Sequence, residues 1–140
     1  MLPKLTHNQM LVLNILKNEK GPLTAYEILD RLREEGFRAP LQVYRALERL
    51  IQLKSIHRLE SVNAFMACSY PENCQHELTI FTICVKCGKV NEVQEQAIMQ
   101  GVQKMTQDTG FQAHRSTLEV QGTCKECTKS EALILASSYV

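Results

Sequence analysis

A chain of 140 residues is long enough for one ordinary domain, or for two small ones that each need help to stay folded. Its longest apolar runs, Met10 to Leu13 and Ile80 to Val85, fall far short of the roughly 20 residues that span a bilayer, and the Met1-Leu2-Pro3-Lys4 start is not that of a signal peptide; a cytoplasmic protein without a membrane partner is expected. A net charge of +1 argues against indiscriminate coating of nucleic acid, yet residues 1–60 carry ten Lys/Arg against seven Asp/Glu and residues 61–140 six against eight, so any DNA-facing surface belongs to the first half.

Three helices are predicted in the first 54 residues. Thr6 and Gln9 have the spacing of a capping box ahead of the apolar set Leu11, Val12, Ile15 and Leu16, and Gly21-Pro22 stops that helix. Thr24 and Glu27 repeat the box ahead of Ile28, Leu29 and Leu32, with Gly36 as the C-terminal cap. From Pro40, the residues Val43, Ala46, Leu47 and Leu50 recur at i, i+3, i+4 and i+7, so a third helix buries that stripe and leaves its other face open. Residues 55–59 and 64–68 read as a hairpin turning at Val62-Asn63. Three helices and a hairpin describe a winged helix-turn-helix.

A connector with Pro71 and Asn73 follows. Beyond it come a strand near Leu78 to Val85, a short strand near Lys89 to Val93, a helix from about Glu95 to Thr109 presenting Ile98, Val102 and Met105, a Gly110 stop, and a strand from Phe111 to Val120. The expected fold class is α+β, with a winged-helix domain at 1–68, a hinge at 69–77 and a small α/β domain at 78–140.

Six cysteines in a chain expected to stay in a reducing compartment point to metal or redox chemistry. Cys84-Val85-Lys86-Cys87 and Cys124-Lys125-Glu126-Cys127 are two CxxC knuckles separated by 36 residues. Four soft thiolates in two bidentate pairs suit tetrahedral Zn²⁺ and leave no open position for a substrate, so the site is expected to be structural. Two redox pairs are the alternative. A second constellation follows from the hairpin: a turn centred between Val62 and Asn63 sets His57 directly opposite Cys68, and His76 and Glu92 could approach from beyond the connector. One sulfur, two imidazoles and a carboxylate also suit Zn²⁺; otherwise His57 is a solvated wing residue and Cys68 a small buried one. The third lies on the open face of the third helix, where Gln42, Tyr44, Arg45 and Arg49 could enter a major groove or form a solvated basic face.

These motifs together resemble the ferric uptake regulator family, and more narrowly its zinc-sensing branch, over about residues 5–128. The resemblance rests on Leu23-Thr24-Ala25-Tyr26-Glu27-Ile28-Leu29, on Val43-Tyr44-Arg45-Ala46-Leu47, on His57 to Glu60 leading to Asn63-Ala64-Phe65 and Cys68, and on the paired knuckles. It implies a homodimer that binds an AT-rich palindrome of double-stranded DNA. It further implies a regulatory zinc held by His57, Cys68, His76 and Glu92, beside the structural one, giving about two zinc ions per monomer. The Tyr44-Arg45 pair resembles the branch's recognition pair. A hinge thiolate at Cys68 favours zinc by softness, whereas members that answer to iron, manganese or peroxide rely on nitrogen and oxygen ligands. The implied function is repression of zinc-uptake genes, the alternatives being a relative that senses iron, manganese or peroxide, or a thiol redox switch. Gln9 stands where the family has an arginine, Cys74 is an additional connector thiol, and His114 falls one position off the family's place, so no third metal site is carried over. An enzyme with a small-molecule substrate is not expected, because His76 and Glu77 are adjacent and no proline precedes either knuckle.

Overall fold

Thr6 does what its spacing predicts. Its hydroxyl accepts from the Gln9 amide at 3.2 Å while the Gln9 side chain accepts from the Thr6 amide at 3.0 Å, which satisfies two of the donors a helix start leaves over. Helix α1 (His7–Asn18) follows. The structure, a computed structural model, describes residues 4–70 and 78–130, divided between two units, Met1–Gln75 and His76–Val140.

In the first unit the second capping box, Thr24 with Glu27, opens α2 (Ala25–Leu32). A single 3₁₀ turn, Arg33–Glu35, extends it. Gly36 then adopts φ +98° and donates to the Arg33 carbonyl, while the Phe37 amide reaches Leu32. This pair of bonds is the Schellman arrangement, which needs a left-handed residue at the position Gly36 holds. Phe37 is thereby turned inward and is only 1% exposed. Helix α3 (Pro40–Gln52) buries Val43, Ala46, Leu47 and Leu50 against Val12, Leu16, Ile28, Leu29 and Leu32 of the first two helices. Strands β1 (Ile56–Leu59) and β2 (Ala64–Ala67) form the wing. Leu23 adds a third rung by exchanging two backbone hydrogen bonds with Phe65.

The wing's register differs from the expected one. Ile56 pairs with Ala67, His57 with Met66 and Leu59 with Ala64, so the turn occupies residues 60–63 and is centred one residue earlier. Asn63, at φ +48°, supplies the left-handed turn residue, and its side-chain oxygen accepts from the Arg58 guanidinium at 3.0 Å. Cys68 lies one residue past β2, where its amide donates to Ser55. His57 therefore does not face Cys68 directly. The slip is two residues, which preserves faces, so the two remain on one side of the hairpin as diagonal neighbours.

In the second unit, β3 (Leu78–Cys84) is the middle strand, antiparallel to β4 (Val90–Val93) and parallel to β5 (Ser116–Gly122). Between β4 and β5 runs α4 (Gln96–Asp108), ended by Gly110 at φ +70°. The last strand begins at Ser116 rather than Phe111, because its start is set by pairing with Leu78 at the far end of β3. His114 sits in the bend before it. Among the described residues the buried apolar ones are few: Leu78, Ile80, Phe81, Ile83 and Val90, with Cys84 beside them. Helix α4 buries none of its residues; Ile98 is 38% and Met105 61% exposed. Among the described residues no helix is long and apolar enough to cross a membrane.

Candidate metal centres and nucleic-acid interface

The two cysteine knuckles meet because β3 and β5 run parallel. Parallel strands finish at the same end of a sheet, and the register sets Cys84, the last residue of β3, beside Gly122, the last of β5. The first knuckle is the β3–β4 turn. There the Cys84 amide donates to Lys89, and Gly88, at φ +77°, donates back to Cys84. The second knuckle follows Gly122 and leads into helical residues 125–130, where Thr128 donates to the Cys124 carbonyl. Where the first knuckle uses a glycine turn, the second uses this helical turn.

The sulfurs of Cys84, Cys87, Cys124 and Cys127 all lie within 4.8 Å of one another. Cys87 Sγ and Cys124 Sγ are 3.8 Å apart, and a tetrahedron with Zn–S bonds of about 2.3 Å has edges of about 3.8 Å. The donor set and its spacing thus fit Zn²⁺. Amides of Cys124 and Cys87 donate to Cys84 Sγ at 3.3 and 3.5 Å. These bonds, Cys124's first, bring the buried Cys84 thiol down from 9.0 to about 6. Cys127 moves the other way. The Cys124 side chain beside it and its own burial push it up to about 12. Sulfurs so close cannot all ionise unless a cation neutralises them.

On the wing, the ligand atoms of His57 and Cys68 lie within 4.8 Å of each other. The imidazole spans the diagonal that the register leaves, so one nitrogen and one sulfur converge although the residues are not opposite. Glu92 lies on β4 of the second unit, paired with Phe81. His76 and Cys74 lie outside the described residues.

On α3, Arg45 and Arg49 are exposed and Tyr44 is 37% exposed. The Arg49 guanidinium donates to Gln52 Oε1 at 3.3 Å. Gln42 has a local task that the sequence reading did not foresee. Its Oε1 accepts from the Arg38 amide at 2.6 Å and the Ala39 amide at 3.1 Å. Ala39, at the N-cap position, has no side chain to accept from the helix's first amides; Gln42 supplies the other half of a capping box, its oxygen accepting from the N-cap amide and the one before it. Gln9 has the same task at the start of α1, where its side chain accepts from the Thr6 amide. Two large apolar side chains on the same unit, Leu41 (57% exposed) and Tyr26 (63%), were not singled out, since periodicity marks buried stripes and is silent on which outward residues matter.

Residues 3–121 match the ferric uptake regulator family. The zinc uptake regulation protein of Escherichia coli (strain K12) is 32% identical over 130 residues, which cover 92% of this chain and 75% of that one. A solved zinc uptake regulator complexed with zinc and DNA is similar at a TM-score of 0.86 and 31% identity, over 92% of this chain and 86% of that one. The crystal structure of holo XcZur is similar at a TM-score of 0.81 and 38% identity, over 90% and 87% of the two chains.

Proposed function

The chain belongs to the ferric uptake regulator family, which comprises transcription regulators and not enzymes, and from that premise we propose that it is a zinc-responsive repressor of zinc-uptake genes. It binds palindromic AT-rich operators as a homodimer in the cytoplasm when zinc fills a regulatory site. The observation that carries the choice of metal is the His57–Cys68 pair, whose nitrogen and sulfur come within 4.8 Å on one face of the wing. A thiolate there selects zinc over the harder iron(II) and manganese(II). The names of the relatives point the same way, since both the E. coli protein and the DNA-bound structure are zinc uptake regulators.

In this reading zinc bound by Cys84, Cys87, Cys124 and Cys127 holds the second unit together, and a second zinc is held by His57, Cys68, His76 and Glu92. Two of those ligands stand on the wing and two beyond it. Zinc therefore biases the winged helix, residues 1–68, toward one placement on the hinge, residues 69–77, and so sets the spacing of two recognition helices in the dimer. The unit at 78–140 supplies dimerisation, supported by the outward Ile98 and Met105 of α4 and Leu118 and Val120 of β5. Tyr44, Arg45 and Arg49 face the DNA from α3, with Gln42 holding its first turn.

Metal analysis of the purified full chain tests the site assignment. Two zinc ions per monomer are expected, falling to one in Cys68→Ser, with the remaining ion resistant to mild chelation. A Cys68→Ser protein that keeps both ions, and still answers to zinc, sinks it.

A further inference from the structure

The open face of helix α3 carries an exposed aliphatic side chain besides Tyr44, Arg45 and Arg49. Successive residues turn by about 100°, and the buried stripe is Val43, Ala46, Leu47 and Leu50. Directly opposite, within about 30° by that turn, stand Leu41, Arg45, Glu48 and Gln52, all exposed, with Tyr44 and Arg49 on either flank of that face. Gln42 lies farther round, toward the buried stripe, and is engaged with the turn before the helix. Leu41 is the outermost apolar member at 57% exposure. It occupies the second position of the helix, one turn before the exposed Arg45 and three residues after the exposed Arg38. The described residues of the first unit leave more than half of that aliphatic side chain uncovered.

Resting on the DNA-binding reading above, we propose that Leu41 is a specificity residue that reads the C5-methyl group of a thymine in the major groove. The first turn of a recognition helix is the part that meets base edges. Thymine alone presents a methyl group there, and an apolar side chain has no hydrogen bond to offer any other base. The exposed Arg38 just before the helix complements the phosphates, which makes a nucleic acid the fitting occupant rather than an apolar protein surface. Leu41 thus divides the work with Arg45: the guanidinium selects guanine, the leucine selects a methylated pyrimidine.

The test uses the zinc-loaded full chain and a duplex that it selects from a randomised pool. Each thymine of one half-site is replaced singly by uracil, which removes only the methyl group, and affinities are read by fluorescence anisotropy. The wild type should lose about fourfold at one thymine on the major-groove face, the worth of one buried methyl group. Leu41→Ala, at an exposed site where alanine favours the helix, should bind the thymine and uracil duplexes alike at that position and keep the wild-type response at all others. A Leu41→Ala protein with the wild-type thymine preference everywhere overturns the proposal, as does a selected duplex in which no uracil weakens the wild type. A wild type that selects no duplex overturns instead the DNA-binding reading, and this proposal with it.

Discussion

Replacing Gln42 separates a capping role from a purely DNA-facing one. The side-chain oxygen of Gln42 serves two backbone amides, those of Arg38 and Ala39, at 2.6 and 3.1 Å. Both bonds are exposed, so water takes over part of what Gln42→Ala removes, and the loss is about that of one net hydrogen bond, about 1 kcal/mol. With a urea dependence near 2 kcal/mol per molar, that moves the unfolding midpoint down by about 0.5 M. Gln42→Glu keeps the acceptor oxygens and adds a charge that the helix N-terminus favours by about 0.3 to 1 kcal/mol. Its midpoint should therefore equal or exceed the wild type's. Urea unfolding of the zinc-loaded chain gives the order glutamate, glutamine, alanine, and amide exchange at Arg38 and Ala39 should quicken in the alanine variant alone. An alanine variant with an unchanged midpoint and unchanged exchange at those two amides refutes the reasoning.

Lys54 closes α3 in the left-handed region at φ +59°, where its amide donates to Ile51 and Ser55 reaches Leu50. Gly36 holds the matching place after α2, so Lys54→Gly should stabilise the first unit by about 0.5 to 1 kcal/mol, the left-handed strain relieved less the greater freedom of an unfolded glycine; a lower urea midpoint contradicts this. The cysteine cluster carries a pH signature. Because Cys84 ionises near 6 when folded against 9.0 ordinarily, its contribution to the stability of the zinc-free chain is full above pH 9 and fades as pH falls through about 6. Zinc binding by this cluster should accordingly displace one more proton per ion below about pH 6 than above it, while Cys127, held near 12, gives up its proton throughout. A chelator-competition titration with an unchanged pH slope from 5 to 8 refutes it.

What the sequence made legible was local. Thr6 with Gln9, Thr24 with Glu27, and Gly36 act within one turn of helix, and each stands where its spacing put it. The Val43 to Leu50 stripe is equally local. The hairpin register was not legible, because apolar alternation has a period of two and fits a turn at 60–63 as well as one around Val62-Asn63; the left-handed Asn63 decides. The start of β5 escaped for another reason. Its partner is β3, about 38 residues earlier in the pairing, and nothing between Phe111 and Ser116 encodes that distance. The knuckle spacing revealed the four-cysteine site, yet why the knuckles meet at one end of a sheet needed the parallel pairing of those two strands. Ile98 and Met105 make a stripe of helical period, which reads as a core face; in the protomer it is outward.

Zinc-dependent DNA binding tests the central claim most directly. Fluorescence anisotropy of a duplex selected by the protein should rise with buffered free zinc, and should stay low at equal free iron(II) or manganese(II). Binding that is indifferent to zinc, or that iron(II) or manganese(II) elicits as well, contradicts the account.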